Sequence, residues 1–200
     1  MTEALQPVCE RRSLFDSVSM NFLSKLENSK EISSVEFHSE KGATTDQIQL
    51  WEKENEPYLL PDDFISFYSS FNGVSLHWDV SIGEKNVTVG EIKLNGLNEL
   101  IQVESFYLAS FILNSQADVG DIVLVYNHKS SHDTSGIHPG HSLRTDIWFR
   151  DSALNWYYLC PSFKHLLRLM VTHLGKISLA INHSGTLRYL LRSYGFQKPS

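Results

Sequence analysis

An α+β fold is predicted for this 200-residue chain by three features. Apolar residues recur every three to four positions over 13–29, 61–71 and 161–175, the spacing of helices with one buried stripe. They alternate strictly with polar residues over 74–82, the period of a strand with one buried face. Hairpin-like and helical segments follow no repeating βαβ order, so the sheet should be mostly antiparallel and flanked by helices. A mass of 22.8 kDa suits one domain, because a folded monomer of that size buries about 70% of the surface of its extended chain. The domain is expected to span 13–195, with a flexible N-terminus at 1–12, a mobile loop at 127–145 and a tail at 196–200.

The first helix is read from Ser13 to Ser29, with Leu14, Phe15, Val18, Phe22 and Leu26 inward. A strand follows at Ile32 to Phe37, then a turn at Ser39 to Ala43. Thr44 and Gln47 have the spacing of a capping box that opens a second helix, anchored by Ile48 and Trp51. Pro57 and Pro61 end it, and Pro61 suits the first turn of the next. There Phe64, Phe67, Tyr68 and Phe71 share a face, and Asn72-Gly73 reads as a left-handed stop. Val74, Leu76, Trp78, Val80 and Ile82 form the alternating strand. Its antiparallel partner is Val87 to Leu94, with a disturbance at Gly90, and a helical turn at Leu97 to Ile101 follows.

The apolar run at 105–113 fits either a strand or a helix. Ile122 to Tyr126 is continuously apolar and reads as a central strand. Asn127 to Thr145 is rich in Ser, His and Gly, hence the expected loop. Two strands, Ile147–Phe149 and Asn155–Leu159, precede the strongest helix, which Pro161-Ser162 opens and Gly175 closes. It should bury Phe163, Leu166, Leu167, Met170, Val171 and Leu174. A last helix is read at Thr186 to Tyr194, burying Leu187, Leu190 and Leu191.

Composition narrows the function. Hydrophobic residues at 42% and charged residues at 20% are globular values that fit neither disorder nor a fibrous repeat. No apolar run reaches eighteen residues, and the N-terminal residues lack the order of a signal peptide, so a soluble intracellular chain is expected. The net charge of −6 is uneven. Residues 1–143 carry 9 Lys and Arg against 21 Asp and Glu, a net of −12, whereas 144–200 carry 8 against 2, a net of +6. The two parts therefore attract each other, or the basic end meets an acidic partner. A nucleic-acid partner is not expected, since no reading motif and no overall basic balance accompany that end.

Candidate chemistry is sparse. His128, His132, His138 and His141 fall within fourteen residues, but without the short, pinned spacings and Cys partners of zinc sites, and they read as a solvated loop. Cys160, before Pro161 at a strand-to-helix junction, reads as a small core residue. Asp62-Asp63 and Glu52, Glu54 and Glu56 read as solvated helix faces and dipole partners. No glycine-rich phosphate loop is present. The expectation is a protein that is not an enzyme and holds no metal or cofactor. One surface remains as a candidate: Lys164 and Arg168 are four apart on the strong helix, and Arg188 and Arg192 are four apart on the last, so each pair projects from one side.

Trp51-Glu52-Lys53-Glu54-Asn55, Leu60-Pro61-Asp62-Asp63-Phe64, Phe67-Tyr68 and Phe71-Asn72-Gly73 give the chain an opening that resembles the SUKH superfamily, the fold of the yeast cell-wall-assembly regulator. Within it, Trp78, Leu124-Val125-Tyr126, Asp146-Ile147-Trp148-Phe149-Arg150-Asp151, Ala153-Leu154-Asn155-Trp156 and Thr172-His173-Leu174-Gly175 resemble the family of subunit 2 of the tubulin polyglutamylase complex. The likeness runs over about 13–175. It implies a SUKH-like fold in which Trp51, Pro61, Asn72, Gly73, Trp78, Trp148 and Trp156 are structural. It also implies a non-catalytic scaffold or targeting subunit, with a tubulin-tyrosine-ligase-like subunit and other complex subunits as partners, and tubulin or microtubules beyond them. No membrane partner is implied, and the location would be cytoplasmic, at the cytoskeleton, centrosome, centriolar satellites or ciliary basal body. The alternative is a SUKH-type adaptor for an unrelated partner.

Overall fold

The computed structural model describes residues 6–116, 119–128 and 143–173. In chain order these form α1 (Gln6–Val18), α2 (Phe22–Glu27), β1 (Ser34–Lys41), α3 (Thr45–Glu54), α4 (Asp62–Ser70), β2 (Phe71–Ile82), β3 (Lys85–Leu94), a 3₁₀ turn (Leu97–Glu99), β4 (Ala109–Gln116), β5 (Gly120–His128), β6 (Leu143–Asp151), β7 (Trp156–Cys160) and α5 (Phe163–Thr172). The class is α+β, as the sequence predicts. Its strands divide into two antiparallel sheets, ordered β1-β2-β3 and β4-β5-β6-β7. They adjoin where Asn95 N–H donates to Leu113 O at 2.8 Å and Asn114 Nδ2 donates to Lys93 O at 2.8 Å.

The single N-terminal helix of the sequence reading is two. Met20 and Asn21 lie at φ 61° and 57°, and α2 starts afresh after them. Asp16 explains the break: its carboxylate accepts the backbone N–H and the hydroxyl of Ser24, the donors of the new helix's first turn. Asn tolerates the left-handed corner better than most residues. Arg12 and Glu27 pair across the two helices. Phe15, Phe22, Leu23 and Leu26 are buried, but Leu14 and Val18 are not. Helix α1 begins at Gln6, so residues 6–12 are helical where a flexible segment was expected.

Helix α3 opens on the predicted capping box: the Thr44 hydroxyl accepts Gln47 N–H, and Gln47 Oε1 accepts Thr44 N–H at 2.8 Å. Helix α4 buries Phe64, Phe67 and Tyr68, then passes directly into β2 at Phe71. Asn72-Gly73 is therefore not a helix stop. Gly73, at φ 100°, lies inside the strand, and Asn72 Oδ1 accepts Leu97 N–H at 2.7 Å, tying the 3₁₀ turn to it. The alternation in β2 holds for Val74, Leu76 and Trp78, whereas Ile82, near the hairpin tip, is exposed. Opposite Gly90 the β2–β3 register shifts, as predicted.

The ambiguous run becomes strand β4 from Ala109 onward, and β5 lies centrally between β4 and β6. The loop expected at 127–145 is shorter at both ends: Asn127 pairs with Arg144 and His128 with Leu143. The remainder of that loop, the tail and the predicted helix at 186–194 lie outside the described residues. Trp51, Leu60, Phe64, Phe71, Leu76, Trp78, Phe111, Tyr126, Ile147 and Leu166 all belong to one buried cluster. Buried tyrosine hydroxyls join its parts: Tyr126 donates to Leu59 O at 3.0 Å and Tyr68 to Asn95 O at 3.3 Å.

Candidate interaction surface

Helix α5 is oriented by what it buries. Phe163, Leu166, Leu167 and Met170 face the core, and Phe163 lies between two α4 rings, its centroid 5.1 Å from Phe64 and 4.3 Å from Phe67. Ser162 supplies no side-chain cap; its hydroxyl sits 2.6 Å from His165 Nδ1. The first amide of the helix is instead met by Asp63, whose Oδ2 accepts Phe163 N–H at 2.7 Å. An anionic acceptor at a helix start is favoured by the helix dipole as well as by the hydrogen bond.

With that face inward, Lys164 and Arg168 stand exposed four residues apart, in the arrangement read from the sequence. Thr172 continues the row and donates its hydroxyl to Arg168 O at 2.7 Å. Among the described residues neither cation forms an ion pair, and both charges face solvent. His173, at the end of the helix, has its pKa lowered by partial burial, so it stays neutral near pH 7. Arg188 and Arg192 lie outside the described residues.

The other sequence candidates resolve as structure. Cys160 is buried, its Sγ lies 3.6 Å from Ser162 O, and burial pushes the thiol up to about 12. A thiol held protonated is not a nucleophile. Two carboxylates expected to be solvated are engaged: Asp63 caps α5, and Glu52 Oε1 accepts Leu60 N–H at 3.1 Å. Glu54 and Glu56 are exposed. His128 is exposed at the end of β5, and His132, His138 and His141 lie outside the described residues. His38 and His77 both approach Glu36, at 3.8 and 3.2 Å. No group of three His, Cys, Asp or Glu able to hold a metal occurs among the described residues. No described helix is long and apolar enough to cross a membrane.

The tryptophans named as structural fall into two sets. Trp51 packs on Phe111 at 5.1 Å and Trp78 on Phe22 at 5.4 Å, both in the core. Trp148 and Trp156 are half-buried on the opposite face of the four-stranded sheet, where Tyr107 contacts both, at 5.2 and 5.6 Å. Tyr158 meets Trp148 at 5.6 Å, and the Arg150 guanidinium sits 5.8 Å over Trp156. This second aromatic face is absent from the sequence reading. Its signal was present: Trp148 alternates with Ile147 and Phe149, and Trp156 and Tyr158 with Tyr157 and Leu159, so both sides of these strands carry large apolar groups.

Comparison with known proteins bears on the same segments. No protein-family model matches the chain, and no solved structure matches it. Curated relatives do. Tubulin polyglutamylase complex subunit 2 of Rattus norvegicus is 27% identical over 184 aligned positions, covering 75% of this chain and 59% of the relative. The protein of the same name from Mus musculus is 28% identical over the same coverage. That from Homo sapiens is 27% identical over 183 positions, 75% of this chain and 58% of the relative. The chain is thus homologous to these subunits and spans somewhat under two thirds of their length.

Proposed function

We propose that the chain is a non-catalytic subunit of a tubulin polyglutamylase complex, supporting the addition of glutamate by a tubulin-tyrosine-ligase-like partner at the cytoskeleton. The observation that carries this reading is the homology over three quarters of the chain to proteins named as subunits of that complex. The state of the reactive groups agrees with it: the described cysteine thiol is buried and protonated, and Asp63 and Glu52 are committed to backbone amides.

The α5 surface gives the subunit a means of holding an acidic partner. Lys164 and Arg168 share one exposed face in the basic part of the chain, and tubulin tails bearing glutamate chains are acidic. Screening acts over about 8 Å at physiological ionic strength, so a contact made by such exposed cations weakens as salt is added.

Charge reversal at Lys164→Glu and Arg168→Glu tests the reading. With the complex subunits and tubulin present, the doubly reversed chain should keep its thermal midpoint while recovering less tubulin or less of an acidic subunit. Unchanged recovery removes α5 as the contact. Failure of the unaltered chain to recover any polyglutamylase subunit removes the function itself.

A further inference from the structure

A cleft of about 300 Å³ opens where α1 meets the three-stranded sheet, and charges of both signs line it without meeting. Ser39, Val74 and Leu94 are register partners in one row across β1, β2 and β3, and Phe37 lies two positions before Ser39 on the same face. Phe37, Val74 and Leu94 are buried and give the cleft an apolar floor. Their alternates His38, Ser75 and Lys93 turn to the other face of the sheet, where His38 approaches Glu36.

Helix α1 contributes the cation. Its Phe15 packs on Phe37 at 5.0 Å and on Phe71 at 6.0 Å, and Arg11, one turn earlier, shares that face of the helix and lines the cleft. Arg12 is paired with Glu27, whereas Arg11 is half-buried and has no ion pair or side-chain hydrogen bond among the described residues. Glu99, in the 3₁₀ turn after β3, supplies an anion. Its Oε2 accepts Gly96 N–H at 2.8 Å, which fixes the carboxylate and leaves Oε1 for a further donor. Glu40, at the register shift of β1, adds a second carboxylate to the rim. Neither forms an ion pair with Arg11.

The charges decide what fits. A simple anion meets Arg11 but is repelled by Glu40 and Glu99, and a simple cation meets the reverse. An uncharged apolar molecule would cover all three groups and return nothing for their lost hydration. A small zwitterion satisfies both signs at once. The apolar floor beside them calls for an apolar side chain, and the volume lies at the lower end of the range for small-molecule sites. We propose that the cleft binds a free α-amino acid with an apolar side chain. Its carboxylate pairs with Arg11, its ammonium with Glu99 Oε1, and its side chain lies on Phe37, Val74 and Leu94. The site shares no residue with the α5 surface and does not depend on the function proposed above.

Calorimetric titration of the full chain with L-leucine and L-phenylalanine tests the site. At least one should bind in the millimolar range or tighter and raise the thermal midpoint. The N-acetyl form of that amino acid lacks the ammonium and its amide lacks the carboxylate, so each should bind about tenfold more weakly or worse, the loss expected for one charged hydrogen bond. Arg11→Gln should weaken the free amino acid by a similar factor without weakening the amide. Glu99→Gln keeps an acceptor for Gly96 N–H and with it the fold, and should weaken the free amino acid without weakening the N-acetyl form. Binding of neither amino acid overturns the proposal, as does equal binding of the free, acetylated and amidated forms, or undiminished binding by both variants. L-Glutamate binding as tightly as the apolar amino acid also overturns it, because the floor would then play no part.

Discussion

Trp78 occupies the space that a side chain at position 90 would need: a Cβ on Gly90 would fall only 2.0 Å from Cζ2 and 2.4 Å from Cε2 of that indole. The two residues are register partners across β2 and β3, and the register shift begins at this pair. Glycine is thus required for close approach, and the strand irregularity is the backbone adjusting to a buried tryptophan.

Gly90→Ala is accordingly expected to destabilise the domain by about 1–3 kcal/mol, the usual cost of overpacking. Trp78→Phe in the same protein should return part of that loss, since the smaller ring vacates the contested space. Trp78→Ala alone should cost about 3–5 kcal/mol. Urea midpoints of the variants check all three, and additive losses for Gly90→Ala with Trp78→Phe would show that the ring is not the obstacle.

Asp63→Ala should cost about 0.5–2 kcal/mol, the range for loss of a helix N-cap, although the carboxylate comes from another helix. Hydrogen exchange at the Phe163 amide should rise more than exchange in β5. Uniform change across the molecule would argue against a local capping role.

Cys160 should resist thiol reagents at pH 8 for as long as the domain is folded. In a Cys9→Ser background, modification should proceed at the unfolding rate. The folded pKa, pushed up to about 12 chiefly by burial, exceeds the unfolded value of about 8.5. The native state therefore holds the proton that the unfolded chain releases. That contribution is complete below about pH 8.5 and is lost as pH rises toward 12, so the fall in stability above pH 8.5 should be smaller in Cys160→Ala than in the unaltered chain.

On the acid side the sign is reversed. Asp79 is lowered by hydrogen bonds from Ser34 and then Thr88, both at 2.7 Å, and Asp151 is lowered first by Asn155. Their stabilisation is present above the unfolded carboxylate value of about 3.9 and disappears as pH falls through the folded values below it. The stability gap between the unaltered chain and Ser34→Ala/Thr88→Ala should therefore be open at pH 7 and close below about pH 4. A gap of constant size would mean that the hydroxyls act by packing alone.

What could be read in advance was what depends on short spacing. Thr44 and Gln47 announce their capping box because both partners lie within one turn, and the exposure of Lys164 and Arg168 follows from their phase against Leu166, Leu167 and Met170. What could not be read depends on partners distant in the chain. The break after Val18 is made by Asp16 reaching Ser24, the α5 cap comes from Asp63, and Asn72 serves Leu97 instead of ending a helix. The second aromatic face was hidden for a different reason: period-two reading assigns one side of a strand to the core and takes the other for solvent, and Trp148 and Trp156 lie on that other side.

The clasp between α4 and α5 also bears on how the chain is made. Phe64 and Phe67 share Phe163 as a neighbour, and Asp63 waits for the amide of the same residue, 100 positions further on. At synthesis rates of roughly 5–20 residues per second, an apolar flank of α4 stays uncovered on the ribosome for about 5–20 s. Nascent chains halted before residue 163 should therefore be held by chaperones, and release should coincide with the emergence of α5.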